Sequence, residues 1–532
     1  MTTQSRRSFL TGAAAAGLGL LSGKEALALY DTPFGGAPAD DPNLPTMTTD
    51  IVVVGAGAAG HAAAVEARKA GSAVTIVEKM GSIGGNSAIS QGLMSVPGTP
   101  AQKALGIEDS PELFIRDMMA VSYCGHPGHT AMLAREALPT YEWTVSELGV
   151  RWRRNRVEQE IEQSVPRAVA VESGSGNGLM IPLHERARAL GTEFALNEQV
   201  VRLIGDMYDG IKGVLVRNTR TGSMRRILAR RGVILAAGGF GADVVFRQFC
   251  NPRLSERVGT TTQPGSTSEM LREAARIGAW VIHLHYISCI PDANPDEKGW
   301  GISWQFSRYC AGAQGLWVVR QTGERFTNEM GSGVDRTNAV FDVLRAGNEV
   351  IAVSDARAVR HPRSSIFSEE QVEALVARGY VMRFPTLEAL AAELEIPLER
   401  IRQEIDEYSG AVRGRAAYDR MGRPIAALAE PMEEGPWYAA PLTAKVLLCS
   451  GGLATDLRAR VLSVVDDRPI PGLFAAGELT GGLHGIGYLG SCGLLDALVF
   501  GRIAGREAAG PLRRAAADGV SADSRVSPIK PI

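Results

Sequence analysis

Six residues near the start of the chain carry the clearest chemistry. Gly55-Ala56-Gly57-Ala58-Ala59-Gly60 follow the β-branched run Ile51–Val54. An Ala-rich stretch then leads to a second apolar run, Ala73–Val77, which ends at Glu78. At these spacings Gly55 permits a tight turn, Gly57 lets backbone approach a pyrophosphate, and Gly60 lets a helix pack on a strand. The free N–H groups and peptide dipoles at the start of that helix suit a phosphate. Glu78 can accept hydrogen bonds from a ribose. Strand, glycines, helix, second strand and acidic end occur in order, which a glycine-rich turn in an ordinary α/β protein does not require. The pattern predicts a dinucleotide site.

Two further strand-to-glycine stretches support that site. Gly232–Phe240 contains Ala237-Gly238-Gly239, and Gly472–Gly482 contains Ala476-Gly477-Glu478. The second is followed by His484–Gly493, rich in glycine, and by a helical stretch from Leu494. Residues 193–230 read as a β-meander, EFALNEQVVRLI, GIKGVLVRN and RRILARR, separated by Asp-Gly and Thr-Gly turns. The segment Ser173–Leu179 opens a helix ending near Leu190. Residues 285–446 have a mixed α+β character, with amphipathic helices predicted near 369–378, 386–394 and 397–408. The simplest organisation is an α/β, Rossmann-type cofactor domain in two parts, 47–284 and 447–512, interrupted by an inserted domain, 285–446. Residues 513–532 read as a tail.

Composition sets the remaining bounds. A chain of 532 residues can build two or three cored domains. With 56 basic against 58 acidic residues, there is no electrostatic footprint for nucleic acid. Ser5-Arg6-Arg7-Ser8-Phe9-Leu10 has the twin-arginine form, followed by a short apolar run to Leu21 and a small-residue cleavage site at Ala26-Leu27-Ala28. This predicts a signal over residues 1–28, a linker over 29–46 and export of a folded protein to the periplasm. The apolar run is too short to span a bilayer. The six cysteines form no C-x-x-C pair and no haem attachment site, and the eight histidines show no metal-ligand spacing, so no metal is expected. His283 and His285 alternate as on a strand and read as structural.

Five ordered motifs carry a resemblance: VVVGAGAAG…VEK, GGNSAISQG at 84–92, LAAGGF at 235–240, GERFTNE at 323–329, and AAGELTGGLHG…LLDALVFGRIAG at 475–505. Together they resemble the soluble fumarate reductase family of FAD-dependent proteins. That group includes succinate dehydrogenase flavoprotein subunits, urocanate reductases and 3-ketosteroid dehydrogenases. The resemblance runs over nearly all of 47–510. It implies FAD as cofactor and a clamp domain that closes over the flavin. No His stands in 84–92, where complex-bound members attach FAD covalently, so non-covalent FAD is expected.

By the same resemblance the cofactor would be held by Gly55, Gly57, Ala58, Ala59, Gly60, Glu78, Lys79, Gly85, Asn86, Ser87 and Gly92. Val201, Ala237, Gly238, Gly239, Asn328, Gly477, Glu478, Ser491, Leu494 and Leu495 would complete the site. The family's proton donor is an Arg soon after the NE of GxRFxNE. Here Arg336 is the counterpart, after a longer spacer; the plainer reading makes it a surface partner of Asp335. The groups that grip fumarate carboxylates in the family are replaced by Ile290, Leu448 and Tyr488. Their loss removes charge-assisted hydrogen bonds worth about 1.5–3 kcal/mol each, which argues against fumarate.

Tyr488 resembles the ketosteroid-dehydrogenase branch, where a phenol holds the substrate ketone; its plainer role is packing on the flavin. His484 stands on the same glycine-rich wall as a further substrate-side candidate. Between 286 and 317 stand Tyr286, Trp300, Trp304, Phe306, Tyr309 and Trp317, about threefold more aromatics than the chain average of 6%. They read equally as pocket wall, with Tyr309 a candidate contact, or as clamp core. The expected activity is reduction of a C=C bond conjugated to a carbonyl in a small-molecule substrate. Electrons would come from a separate carrier such as a small periplasmic cytochrome. The alternatives are ketosteroid-type dehydrogenation and a non-catalytic FAD-binding electron-transfer subunit.

Overall fold

The computed structural model describes residues 40–364, 367–426 and 429–510. The twin-arginine segment, residues 29–39 of the linker, and the tail lie outside them. From the linker, Asp40 pairs with Arg226 at 2.7 Å.

An eight-stranded sheet carries the cofactor half. Thr46–Val54 lies between Val74–Glu78 and Met224–Leu235, parallel to both. Glu193–Leu196 extends the parallel set on one side and Pro469–Ala475 on the other. Ile51, Val52 and Val53 are fully buried. This explains their uninterrupted apolar run: parallel strands are covered on both faces and show no polar alternation. The meander 198–206, 210–218, 224–235 forms as expected. The first predicted run, 193–204, divides at Asn197, whose φ is +58°. Asn tolerates that left-handed conformation, so Glu193–Leu196 joins the parallel set while Glu198–Asp206 opens the meander.

Two helices bring the distant glycine motifs together. Ala58–Lys69 follows the first strand, and Gly493–Ala509 packs against it. A Cβ on Gly501 would lie 2.5 Å from the Ala59 carbonyl oxygen, and one on Gly505 would lie 2.2 Å from that of Ala63. Glycines four apart on one helix thus meet alanines four apart on the other, and the backbones approach closely. The start of each helix is drawn to the same place.

The inserted region builds a five-stranded antiparallel sheet. Its order is Ile287–Ala293, Trp437–Cys449, Val350–Ser354, Leu316–Val319, with Met382–Phe384 also on Trp437–Cys449. Along Val350–Ser354 the period of two is visible: Val350 and Ala352 join one apolar core, Ile351 and Val353 the other. The three amphipathic helices occur at Glu369–Ala377, Leu387–Glu393 and Leu398–Arg413. Trp437–Cys449 runs three residues past the expected boundary at 446. His283 and His285 do not sit on a strand. Val281–Ile282 ends before them, and His283 turns the chain with φ +58°.

Candidate active site

A continuous cavity of about 980 Å³ joins the two halves. That is the upper end of the range for ligand pockets, roughly 300–1,000 Å³. One end is built from the glycine motifs, the other from the inserted sheet and the helix Gly333–Arg345.

At the first end, Gly55 has φ +106°, and a Cβ there would lie 2.3 Å from the Ala236 carbonyl oxygen. Only glycine lets the two strand ends lie this close. At Gly57 nothing stands nearer than 3.8 Å to the missing Cβ, so backbone is open to the cavity. At Gly60 the Cβ would meet the Gly55 carbonyl at 2.0 Å, which is the close helix–strand contact expected of the third glycine. Glu78 accepts from the N–H groups of Ala56 (2.9 Å) and Met80 (2.8 Å), fixing the turn against the end of its strand. Ser87 accepts from the Ala58 N–H at 3.2 Å.

Glu478 is the opposite anchor. Its carboxylate accepts from Cys449 N–H (3.0 Å) and from the Asn86 amide (3.1 Å). Burial raises its pKa, with hydrogen bonds from Cys449, Asn86 and Gly239 opposing. A Cβ on Gly239 would lie 2.4 Å from this carboxylate. Lys79 pairs with Glu269 (3.2 Å) and bonds Thr267.

Most of the expected cofactor residues line the cavity: Gly55, Gly57, Ala58, Ala59, Glu78, Lys79, Gly85, Asn86, Ser87, Ala237, Gly238, Gly477, Glu478, Ser491 and Leu494. Gly60, Gly92 and Gly239 stand behind the wall and allow it to form. A Cβ on Gly92 would meet Val171 at 2.5 Å. Three others are corrected. Val200 lines the cavity where Val201 was expected; the register shifts between Val200 and Arg202, which sequence alternation cannot show. Leu495 is fully buried in the apolar core beneath the helix. Asn328 is spent within the inserted region, donating to the Gly422 carbonyl (3.0 Å) and accepting from Met330 N–H (2.9 Å).

At the second end, Ile290, Leu448, Tyr488 and Arg336 all line the cavity. Arg336 is 3% exposed. It does not pair with Asp335, whose carboxylate instead accepts from the hydroxyl of Ser332, the residue that caps the helix by accepting from the Asp335 N–H. Its Nε donates to the Gly331 carbonyl (3.0 Å), its Nη1 stands 3.6 Å from Asp292, and Nη1 has no hydrogen-bond partner. Its guanidinium lies 5.9 Å from the Trp317 ring centre. Burial lowers its pKa; Asp292 opposes this and Arg308 reinforces it.

Asp292 is held more tightly by Arg308, at 2.6 Å, and Arg308 also reaches Glu160 at 3.4 Å. Glu160 in turn accepts from the Ser491 hydroxyl at 2.8 Å. Burial works against the Arg308 charge, but Asp292 and Glu160 outweigh it and its pKa is raised. Asp292, Arg308 and Glu160 come from separate segments, and sequence reasoning missed all three.

The Tyr488 hydroxyl accepts from Gly493 N–H at 2.9 Å, at the start of the last helix. Burial pushes the phenol pKa up, so it keeps its proton to donate. His484 lies behind it, edge-on at 5.2 Å between ring centres, and does not line the cavity. Of the six aromatics, Tyr286 and Trp300 line the wall. Trp304, Phe306 and Trp317 are buried core. Tyr309 packs on Trp304 and Phe367 and is core as well, a correction to its expected role as a contact. Among the described residues no cluster of His, Cys, Asp and Glu could hold a metal, and no helix is long and apolar enough to cross a membrane.

The family described as FAD binding domain matches residues 50–494 of this chain. The chain belongs to that family. The flavoprotein is similar to the acrylate reductase flavoprotein subunit of Shewanella woodyi, at 32% identity over 94% of this chain and 97% of that one. It is also similar to the urocanate reductase of Eggerthella lenta, at 31% identity over 87% and 75%. Among solved structures, the open conformation of a flavocytochrome c3 fumarate reductase superposes with a TM-score of 0.72 at 28% identity, over 87% of this chain and 78% of that chain. A 3-ketosteroid-delta4-(5alpha)-dehydrogenase from Rhodococcus jostii shares the fold, with a TM-score of 0.70 at 24% identity, over 89% and 99%. FAD is therefore the cofactor, and the enzyme is an oxidoreductase acting on C=C bonds. The residues present fit the group. Bare backbone at Gly57 and the start of Ala58–Lys69 suit its pyrophosphate. Glu78 suits a ribose, and the positive end of Gly493–Ala509 faces the same cavity.

Proposed function

We propose that this flavoprotein reduces a C=C bond conjugated to a carbonyl, in a substrate larger and less charged than fumarate. The observation that carries the reading is Arg336: a buried guanidinium on the cavity wall with an unpartnered N–H and a lowered pKa. Bound FAD supplies the hydride. Arg336 polarises the unsaturated carbonyl compound and delivers a proton to the adjacent carbon. Asp292, backed by Arg308, holds the guanidinium in place and stands where a spent proton could be restored. Tyr488 donates to the carbonyl oxygen while Gly493 N–H fixes its hydroxyl. Ile290 and Leu448 give that end an apolar lining, which disfavours a second carboxylate. The names of the relatives, acrylate reductase and urocanate reductase, agree with a substrate that carries one carboxylate where fumarate carries two.

The test offers reduced enzyme fumarate, an aryl acrylate and a 3-ketosteroid enone side by side and follows flavin reoxidation. The aryl acrylate or the enone should react fastest; faster reoxidation by fumarate would overturn the pocket reading. A second reading, dehydrogenation of a ketosteroid-like substrate, is favoured by the Tyr488–Gly493 arrangement alone. Under it, oxidised enzyme would bleach on mixing with the saturated ketone. In either direction Tyr488→Phe should cost roughly 2.7–4 kcal/mol of transition-state stabilisation and little binding.

Three further features belong to the proposal. FAD is held non-covalently, because 84–92 contains no attachment His; acid treatment should release intact flavin. The precursor is exported folded by the twin-arginine route, so Arg6→Lys with Arg7→Lys should leave it in the cytoplasm with FAD bound. Electrons arrive from a separate carrier, such as a small periplasmic cytochrome, since the chain has no haem attachment motif.

A further inference from the structure

A second group of buried titratable residues reaches the cavity from another side. Asp496 lies in the first turn of Gly493–Ala509, lines the cavity and is 4% exposed. Its Oδ2 stands 3.4 Å from His484 Nε2, and its Oδ1 has no hydrogen-bond partner. Neither ring nitrogen of His484 has a well-aligned partner, although the residue is only 5% exposed. Toward the surface comes His129, 8% exposed, with Nε2 at 3.3 Å from the Thr455 hydroxyl and Nδ1 unpartnered. Its ring meets that of His126 at 4.8 Å, nearly perpendicular. His126 is exposed, and its backbone N–H donates to Gly482 beside the His484 loop at 2.6 Å.

A buried polar atom left unpaired is destabilising, and here four such atoms lie on three residues, His484 beside Asp496 and His129 within electrostatic reach of Asp496. Structural burial alone would favour apolar replacements. Groups that must exchange hydrogen bonds as a proton passes have a reason to remain loosely paired. We propose that His126, His129, His484 and Asp496 form a proton-entry route from the surface into the FAD-binding cavity, separate from Arg336. None of the four hydrogen-bonds to Arg336, Arg308 or Asp292.

The other charged or titratable groups facing the route are Asp456 beside His129, Glu478 and Tyr488 beside His484, and Cys492 beside Asp496. Burial holds His129 near a pKa of about 4, so it rests neutral with a lone pair open to a passing proton. The chemistry balances. Two-electron reduction of a bound flavin at neutral pH takes up one proton. The two electrons come one at a time from a one-electron donor, which is oxidised, and the proton comes from bulk water by way of His126, His129, His484 and Asp496. The inference rests on the cavity holding FAD and not on the identity of the substrate.

The experiment follows flavin bleaching in holoenzyme mixed anaerobically with dithionite, in mildly alkaline buffer, without substrate. Asp496→Asn and His129→Gln are compared with the parent after matching FAD content and melting temperature. Each variant should bleach at least about tenfold more slowly, the low end for loss of positioned proton transfer being larger still. Added imidazole, a diffusible proton carrier, should restore much of the rate. Bleaching at the parent rate in both variants overturns the proposal. So does slowed bleaching that imidazole does not restore, which would mark a structural effect. Because no substrate is present, a wrong substrate assignment cannot change the outcome.

Discussion

Arg325 and Arg336 lie eleven residues apart and are both buried, yet their surroundings shift them in opposite directions. Arg325 sits in a closed set. It reaches Glu329 at 2.5 Å and Asp419 at 2.8 Å, while Arg423 reaches Asp419 at 3.2 Å and Glu329 at 3.4 Å. Burial works against the Arg325 charge, but Glu329 and Asp419 outweigh it and its pKa is raised. Arg336 shares its one close carboxylate with Arg308, which holds it more tightly, and its own pKa is lowered. The GERFTNE motif therefore divides its labour. Its own Arg and Glu lock the loop, and the Arg beyond it is left under-paired on the cavity wall. A buried cation that is fully matched resists proton loss; one that is not is readier to give a proton up.

Removing each member should separate the two sets. Arg336→Ala should lower turnover by about 10²–10⁴ with FAD retained, measured by flavin reoxidation with the preferred substrate. Its melting temperature should hardly fall, since the cation it removes is poorly paired. Arg336→Lys should rescue little, because Lys lacks the planar fork. Near-normal turnover in Arg336→Ala would end the comparison. Glu329→Gln should do the reverse: a loss of about 3–5 kcal/mol in unfolding free energy, because Arg325 and Arg423 lose a shared buried partner. Chemical denaturation measures it, and an unchanged midpoint would show that the closed set holds nothing.

A smaller effect tests burial without a carboxylate. His61 is buried, bonds the Gly57 carbonyl and His184, and has a pKa lowered by burial from 6.5 to about 4. The unfolded chain therefore binds its proton first as pH falls. This group's contribution to stability is complete above about pH 6.5 and is lost toward pH 4, at up to about 1.4 kcal/mol per pH unit. Melting temperature in that window should fall less steeply in His61→Gln. The same slope in both proteins would rule the account out.

The cofactor end was readable because its chemistry is local. Gly55, Gly57, Gly60 and Glu78 act through backbone turns and strand ends within one short unit, so spacing alone specifies them. The opposite end draws Glu160, Asp292, Arg308, Arg336 and Tyr488 from five separate segments, and no spacing links them. Arg336 and Tyr488 were found through motifs nearby in sequence; Asp292 and Arg308 had no such marker. Tyr309 misled because aromatic enrichment is the same whether a ring faces a pocket or a core. Val201 misled because one bulge exchanges the faces of a strand.

The strand Trp437–Cys449 ties the two ends of the cavity together. Within five residues Lys445 grips the carbonyls of Glu297 and Gly299, steadying the loop that presents Trp300. Leu447 and Leu448 form wall, and Cys449 is clipped to Glu478 on the flavin side. Exchanging the side chains at 447 and 448 would reshape the cavity wall and leave untouched the main-chain bond at 449 that holds Glu478.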